Sequence, residues 1–98
     1  MKNQKKIFCY ICLSDDILLK SNFELIKKAS KYGKVIIGLM SDKAIIEYKS
    51  YPLLSYEQRK IIAENLSNVY KVVEQKTRDY SDNLKIFKPK YVVHKKNK

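Results

Sequence analysis

Two apolar runs constrain this chain more than anything else in it. Ile7-Phe8-Cys9-Tyr10-Ile11-Cys12-Leu13 and Val35-Ile36-Ile37-Gly38-Leu39 are β-rich and lack a clean alternation of polar and apolar residues. Such runs read as strands buried on both faces, the pattern of a parallel sheet with helices on each side. Between them, Ser21 to Gly33 carries a helix pattern. Ser21 can cap it, Glu24 three residues on completes a capping box, and Gly33 is placed to end it as the residue after the C-cap. Leu25, Ile26, Ala29 and Tyr32 form its apolar stripe. Strand, helix and strand in this order imply a right-handed crossover and parallel strands. Ligands of open α/β sheets sit at the carboxyl ends of strands, and anions sit at helix N-termini. Ser14 to Asn22 is therefore the first place to look for a phosphate-bearing ligand.

The rest of the chain repeats the alternation. Ser41-Asp42 ends the second strand and can cap a short helix through Lys43-Ala44-Ile45-Ile46, and Glu47 to Leu54 reads as a loop containing Pro52. Ser55-Tyr56-Glu57-Gln58 is a second capping box, opening a helix to about Leu66 with Ile61, Ile62 and Leu66 on its buried face. Val69 to Glu74 reads as a third strand, Gln75 to Asp82 as a polar loop, Asn83 to Phe87 as a short helix stopped before Pro89, and Tyr91-Val92-Val93 as a fourth strand. The expected fold is a small doubly wound, Rossmann-like α/β domain. It has a parallel sheet of about four strands with flanking helices, and residues 1–98 form a single domain.

With 98 residues, the chain has room for one small core. No apolar run approaches the roughly 20 residues of a membrane span, and the basic start is followed by no cleavage site. The expectation is a cytoplasmic protein that does not enter a membrane. The net charge of +11 invites a nucleic-acid reading. The cations, however, are almost all lysines spread along the sequence, with Arg59 and Arg78 as the arginines. Base readout and phosphate forks favour arginine, so these cues weigh against nucleic acid as the principal partner. Cys9 and Cys12 form a C-x-x-C inside a strand, where residues three apart face opposite ways. That excludes the helix-end geometry of a redox pair and leaves two inert thiols. One histidine and no second cysteine pair argue against zinc.

One stretch carries a resemblance. Ser41-Asp42-Lys43-Ala44-Ile45-Ile46-Glu47-Tyr48-Lys49, then Pro52, then Tyr56-Glu57-Gln58-Arg59 resembles the cytidylyltransferase-like nucleotidyltransferases. Among these it is most similar to the cytidylyltransferase of phosphonate metabolism associated with phosphoenolpyruvate mutase. Gly33-Lys34-Val35, Gly38-Leu39, Asp79-Tyr80 before Asn83-Leu84, and Pro89 to His94 add to the likeness, which spans residues 7 to 94. It implies transfer of a nucleotidyl group from CTP, with Mg²⁺, to a phosphonate or alcohol phosphate. The protein's part would be positioning and charge stabilisation.

The family's H-x-G-H signature falls on Leu19-Lys20-Ser21-Asn22, so both histidines are replaced. Leu19 donates nothing, Lys20 offers a flexible cation, Ser21 adds a Cβ where glycine stood, and Asn22 offers a neutral donor. After His94 the family continues into a further segment contacting the triphosphate, whereas this sequence runs into lysines and stops. Lys49 matches a family lysine near the phosphates, against the plain reading of a solvated loop lysine. Arg59 matches the family's Y-E-x-R pattern, against the reading of an ion pair with Glu57 or Asp42. His94 ends the last strand on the ligand edge. Asp15 and Asp16 are read as a strand-ending loop rather than a metal site. The nucleotide- or phosphate-binding candidates are therefore Lys20, Ser21, Asn22, Lys49, Arg59 and His94, with no metal ligands and no assured catalytic residue. The expected partners are CTP and a second copy, or another chain, covering the uncovered C-terminal edge. A non-catalytic homologue acting as an interaction, regulatory or anion-binding module is the alternative. A lysine-rich polyanion surface is the third reading, marked by strong salt dependence without nucleotide preference.

Overall fold

The apolar runs do become buried strands. A computed structural model describes residues 7–13, 20–48 and 52–93. Its elements run β1 (Phe8–Leu13), α1 (Lys20–Ala29), β2 (Lys34–Met40), α2 (Asp42–Tyr48), α3 (Tyr56–Glu64), β3 (Val69–Gln75), α4 (Ser81–Phe87) and β4 (Tyr91–Val93). The four strands form one parallel sheet in the order β3-β2-β1-β4. The fold is Rossmann-like α/β, as the sequence pattern implies.

The two faces of β1 and β2 carry different cores. Cys9, Ile11, Leu13, Val35, Ile37 and Leu39 pack with Ile26 and Ala29 of α1 and Ala63 of α3. On the opposite face Met40 packs with Ala44 and Ile45 of α2 and with Cys12, while Tyr10 meets Tyr80 and Asn83 at the start of α4. The two cysteines therefore point to opposite faces and remain free thiols. Cys9 donates to the Ala29 carbonyl at 3.4 Å, and burial raises its pKa.

Several boundaries differ from the sequence pattern for identifiable reasons. α1 begins by Lys20, so Ser21 lies within its first turn instead of capping it, and Glu24 pairs with Lys20 at 3.9 Å. It ends at Ala29, and Ser30 closes the last turn by donating to the Lys27 carbonyl at 2.6 Å. Gly33 is not in the left-handed conformation. Its role is close approach, because a Cβ there would lie 2.5 Å from the Ile7 carbonyl oxygen. Ser41 does cap α2, accepting from the Ala44 amide at 3.1 Å, and that helix takes in Glu47 and Tyr48. The Ser55–Gln58 capping box is complete in both directions. α3 stops at Asn65, earlier than the apolar stripe suggests. α4 starts two residues early, at Ser81, and ends at Phe87 as expected, where the C-cap Lys88 takes the left-handed conformation before Pro89 (φ 48°).

β3 holds an irregularity that its sequence does not announce. Val35 pairs with Val69 but Ile36 pairs with Lys71, so Tyr70 is an extra, bulged residue. The bulge restores phase. Val69 and Val72, three apart, both reach the α1/α3 core, which a regular strand forbids.

Candidate functional site

The carboxyl ends of all four strands lie on one edge of the sheet. The order β3-β2-β1-β4 reverses direction between β1 and β4, the kind of switch point where open α/β sheets bind ligands. Residues 14–19, with Asp15, Asp16 and Leu19, and the candidates Lys49 and His94 lie outside the described residues. What is described is the set of walls around that switch point.

The α1 wall separates its three candidates. Lys20 and Ser21 are exposed at the start of the helix, whereas Asn22 is fully buried. Asn22 is thus part of the protein interior, a different position from the solvent-facing donor that the H-x-G-H alignment suggests. The exposed Lys20 ammonium, the Ser21 hydroxyl and the first-turn amides are the polar groups of this wall that can meet an anion.

Arg59 also lies elsewhere than a phosphate contact requires. Its side chain is fully buried, and each nitrogen is engaged by the protein. Nε donates to the Leu54 carbonyl (3.2 Å), one terminal nitrogen to the Met40 carbonyl (2.8 Å), and the other to Asp42 Oδ1 (2.7 Å). The geometry matches the ion-pair alternative, with Asp42 rather than Glu57 as partner. A planar fork reaching three acceptors on β2, α2 and the approach to α3 is a use that suits arginine and not lysine. It joins the end of β2 to the two helices that follow.

One buried polar network at this edge centres on a residue the sequence reading passed over. Tyr10 is fully buried in the central strand, and burial pushes its pKa up to about 12. Its hydroxyl donates to Gln75 Oε1 (2.8 Å) and accepts from Asn83 Nδ2 (2.9 Å). Gln75 in turn donates to the carbonyls of Thr77 (2.8 Å) and Arg78 (3.3 Å), and Asn83 also donates to the Glu74 carbonyl (3.2 Å). Asp79 receives the Ser81 amide (2.9 Å) and hydroxyl (2.5 Å), and these bonds lower its pKa. The segment 76–83 is thus tied to the sheet by a network that joins Tyr10, Gln75 and Asn83. Gly38 makes the room, since a Cβ there would overlap the Tyr10 hydroxyl. A lone glycine inside a buried strand was the available signal.

Between the ends of β2 and β3, a cleft of about 450 Å³ is lined by Ser41, Lys43, Glu47, Glu74, Lys76 and Thr77. Its mixed charge suits a zwitterionic or cation-accompanied ligand better than a bare polyanion. Among the described residues, no three His, Cys, Asp or Glu side chains gather as a metal site. No helix among them is long and apolar enough to cross a membrane.

No protein-family model matches the sequence, and no curated protein sequence matches it. The fold does have solved counterparts. The chain is similar to the crystal structure of the lipopolysaccharide core biosynthesis protein from Thermoplasma volcanium GSS1, with a TM-score of 0.83 at 17% identity. The match covers 90% of this chain and 73% of that one. At this identity the likeness shows a shared fold.

Proposed function

We propose that this chain is a cytidylyltransferase-like domain that binds a nucleoside triphosphate, by preference CTP, at the carboxyl edge of its sheet and turns it over weakly or not at all. The observation that carries this reading is the strand order. It sets the exposed start of α1 beside the β1/β4 switch point, in a fold shared at a TM-score of 0.83 with a protein named for biosynthesis. Support for the finer assignment comes from the Asp42-to-Arg59 resemblance described above.

The residues present fit a triphosphate in part. The first-turn amides of α1 and the Lys20 ammonium offer charge and donors to phosphate oxygens. Mg²⁺ usually keeps several waters and is bound largely through substrate phosphates, so it would arrive with the nucleotide and ease the charge developing on pyrophosphate. The weakness lies in preorganisation. Losing one fixed oxyanion donor costs on the order of 100- to 1,000-fold in rate, and here Leu19 and the buried Asn22 stand where the family has two histidines.

Calorimetric titration with CTP and Mg²⁺, with ATP and pyrophosphate as controls, tests the reading. Saturable binding that prefers CTP supports it, and pyrophosphate release with a phosphonate acceptor then measures residual turnover. Absence of binding, or equal salt-sensitive binding of all three, removes it.

A further inference from the structure

The edge opposite the switch point carries a second feature. A cleft of about 560 Å³ lies at the amino ends of β2 and β3, and its lining includes Lys31, Tyr32, Lys34, Ser67, Asn68 and Tyr70. Among the described residues it is lined by no carboxylate, whereas the carboxyl-edge cleft holds Glu47 and Glu74. We propose that this amino-edge cleft binds single-stranded nucleic acid, with Lys31 and Lys34 on the phosphates and Tyr32 and Tyr70 as stacking surfaces for bases.

Four observations carry the proposal. Lys31 and Lys34, three residues apart where α1 turns into β2, both line the cleft, and neither is paired with a carboxylate among the described residues. Tyr32 and Tyr70 are large aromatics left 57% and 48% exposed. Tyr70 is the bulged residue of β3, and bulges re-aim a side chain out of the ladder pattern. Each ring is also braced by a second aromatic: Tyr70 lies 5.7 Å from Phe8, with Lys34 Nζ 5.0 Å from its ring centre. Tyr32 packs on Tyr91, over which Lys90 sits at 5.7 Å.

The carbonyl end of α1 also borders this cleft, and its partial negative charge would oppose a phosphate. It is neutralised locally. The carbonyls of Ile26, Lys27, Lys28 and Ala29 each accept a hydrogen bond from residues 30–32. A basic groove with interleaved, exposed rings is the architecture that holds single strands, because every base has a π-face and every nucleotide a phosphate. Duplexes hide their bases and cannot use the rings.

The test is fluorescence anisotropy of the full chain with a labelled oligothymidylate of about 12 nucleotides, over a salt series. Duplex of the same length and inorganic polyphosphate serve as competitors. The expected result is saturable binding that duplex and polyphosphate displace poorly. Tyr32→Ala and Tyr70→Ala should each weaken it on the order of tenfold. Lys31→Ser with Lys34→Ser should reduce the salt slope by about 1.4, at about 0.7 per phosphate on a single strand. Lys60→Ser with Lys85→Ser removes the same charge from α3 and α4 and should leave that slope nearly unchanged. Circular dichroism of each variant confirms folding. Equal binding of polyphosphate, indifference to the two tyrosines, or an equal loss from the Lys60 and Lys85 pair would overturn the proposal. None of these outcomes depends on CTP binding at the other edge.

Discussion

Tyr10 decides more of this structure than its polarity suggests. A hydroxyl in the central strand costs free energy unless both its roles are filled, and here it donates to Gln75 and accepts from Asn83. Its folded pKa of about 12 lies above the ordinary 10. Between those values the unfolded chain releases this proton while the folded chain keeps it, so stability falls as pH rises. Tyr10 should contribute a loss of about 2–3 kcal/mol across that window, at about 1.4 kcal/mol per pKa unit. Denaturant titrations of wild type and Tyr10→Phe at pH 9 and pH 12 should show the difference. The slope shared by both belongs to the other tyrosines and lysines. Gly38→Ala should cost more than 3 kcal/mol, because the overlap with Tyr10 sits in a strand flanked on both sides. In Gly38→Ala/Tyr10→Val the two costs should add to less than their sum, by at least 1 kcal/mol in the cycle.

At the scale of elements, most boundaries were legible because caps are local chemistry. The Ser55–Gln58 box and the Ser41 cap use side chains and amides within three residues of one another, and the structure makes both. Ser55→Ala should cost about 1 kcal/mol in thermal unfolding. Where the pattern misled, the deciding group came from a distance. Gly33 looked like a helix terminator, yet the constraint on it is the Ile7 carbonyl across the sheet. The bulge at Tyr70 follows from where Val69 and Val72 must point once β3 is docked, which no local motif records. Arg59 sat in a family pattern that suggested a ligand contact, and only the fold shows Met40, Leu54 and Asp42 converging on its three nitrogens. Arg59→Ala should destabilise by about 3 kcal/mol, since two carbonyls lose their donor in a buried site. Arg59→Lys should recover less than half of that, because one ammonium cannot span the fork. Asp42 is 43% exposed on its side chain, so water softens its share of the pair.

On the scale of the whole molecule, the class of fold was legible from two doubly buried strands and a crossover. The strand order was not, because nothing local says on which side of β1 the last strand lands. The start of α1 was legible as a place for an anion, but that it borders a switch point required the strand order. Amide hydrogen exchange should follow this order. β1 and β2, paired on both sides, should exchange last. The three-residue β4, paired on one side with Tyr91 and Val92 more than a third exposed, should exchange first. The Gly38–Tyr10 contact has a consequence on a longer timescale. Any lineage carrying this sheet can place a side chain at 38 only after residue 10 has become smaller. A smaller residue at 10 surrenders the hydroxyl that holds segment 76–83. The substitutions must therefore occur in one order, through an intermediate with a loosened carboxyl edge. Relatives that keep that edge should carry glycine and tyrosine together, or neither.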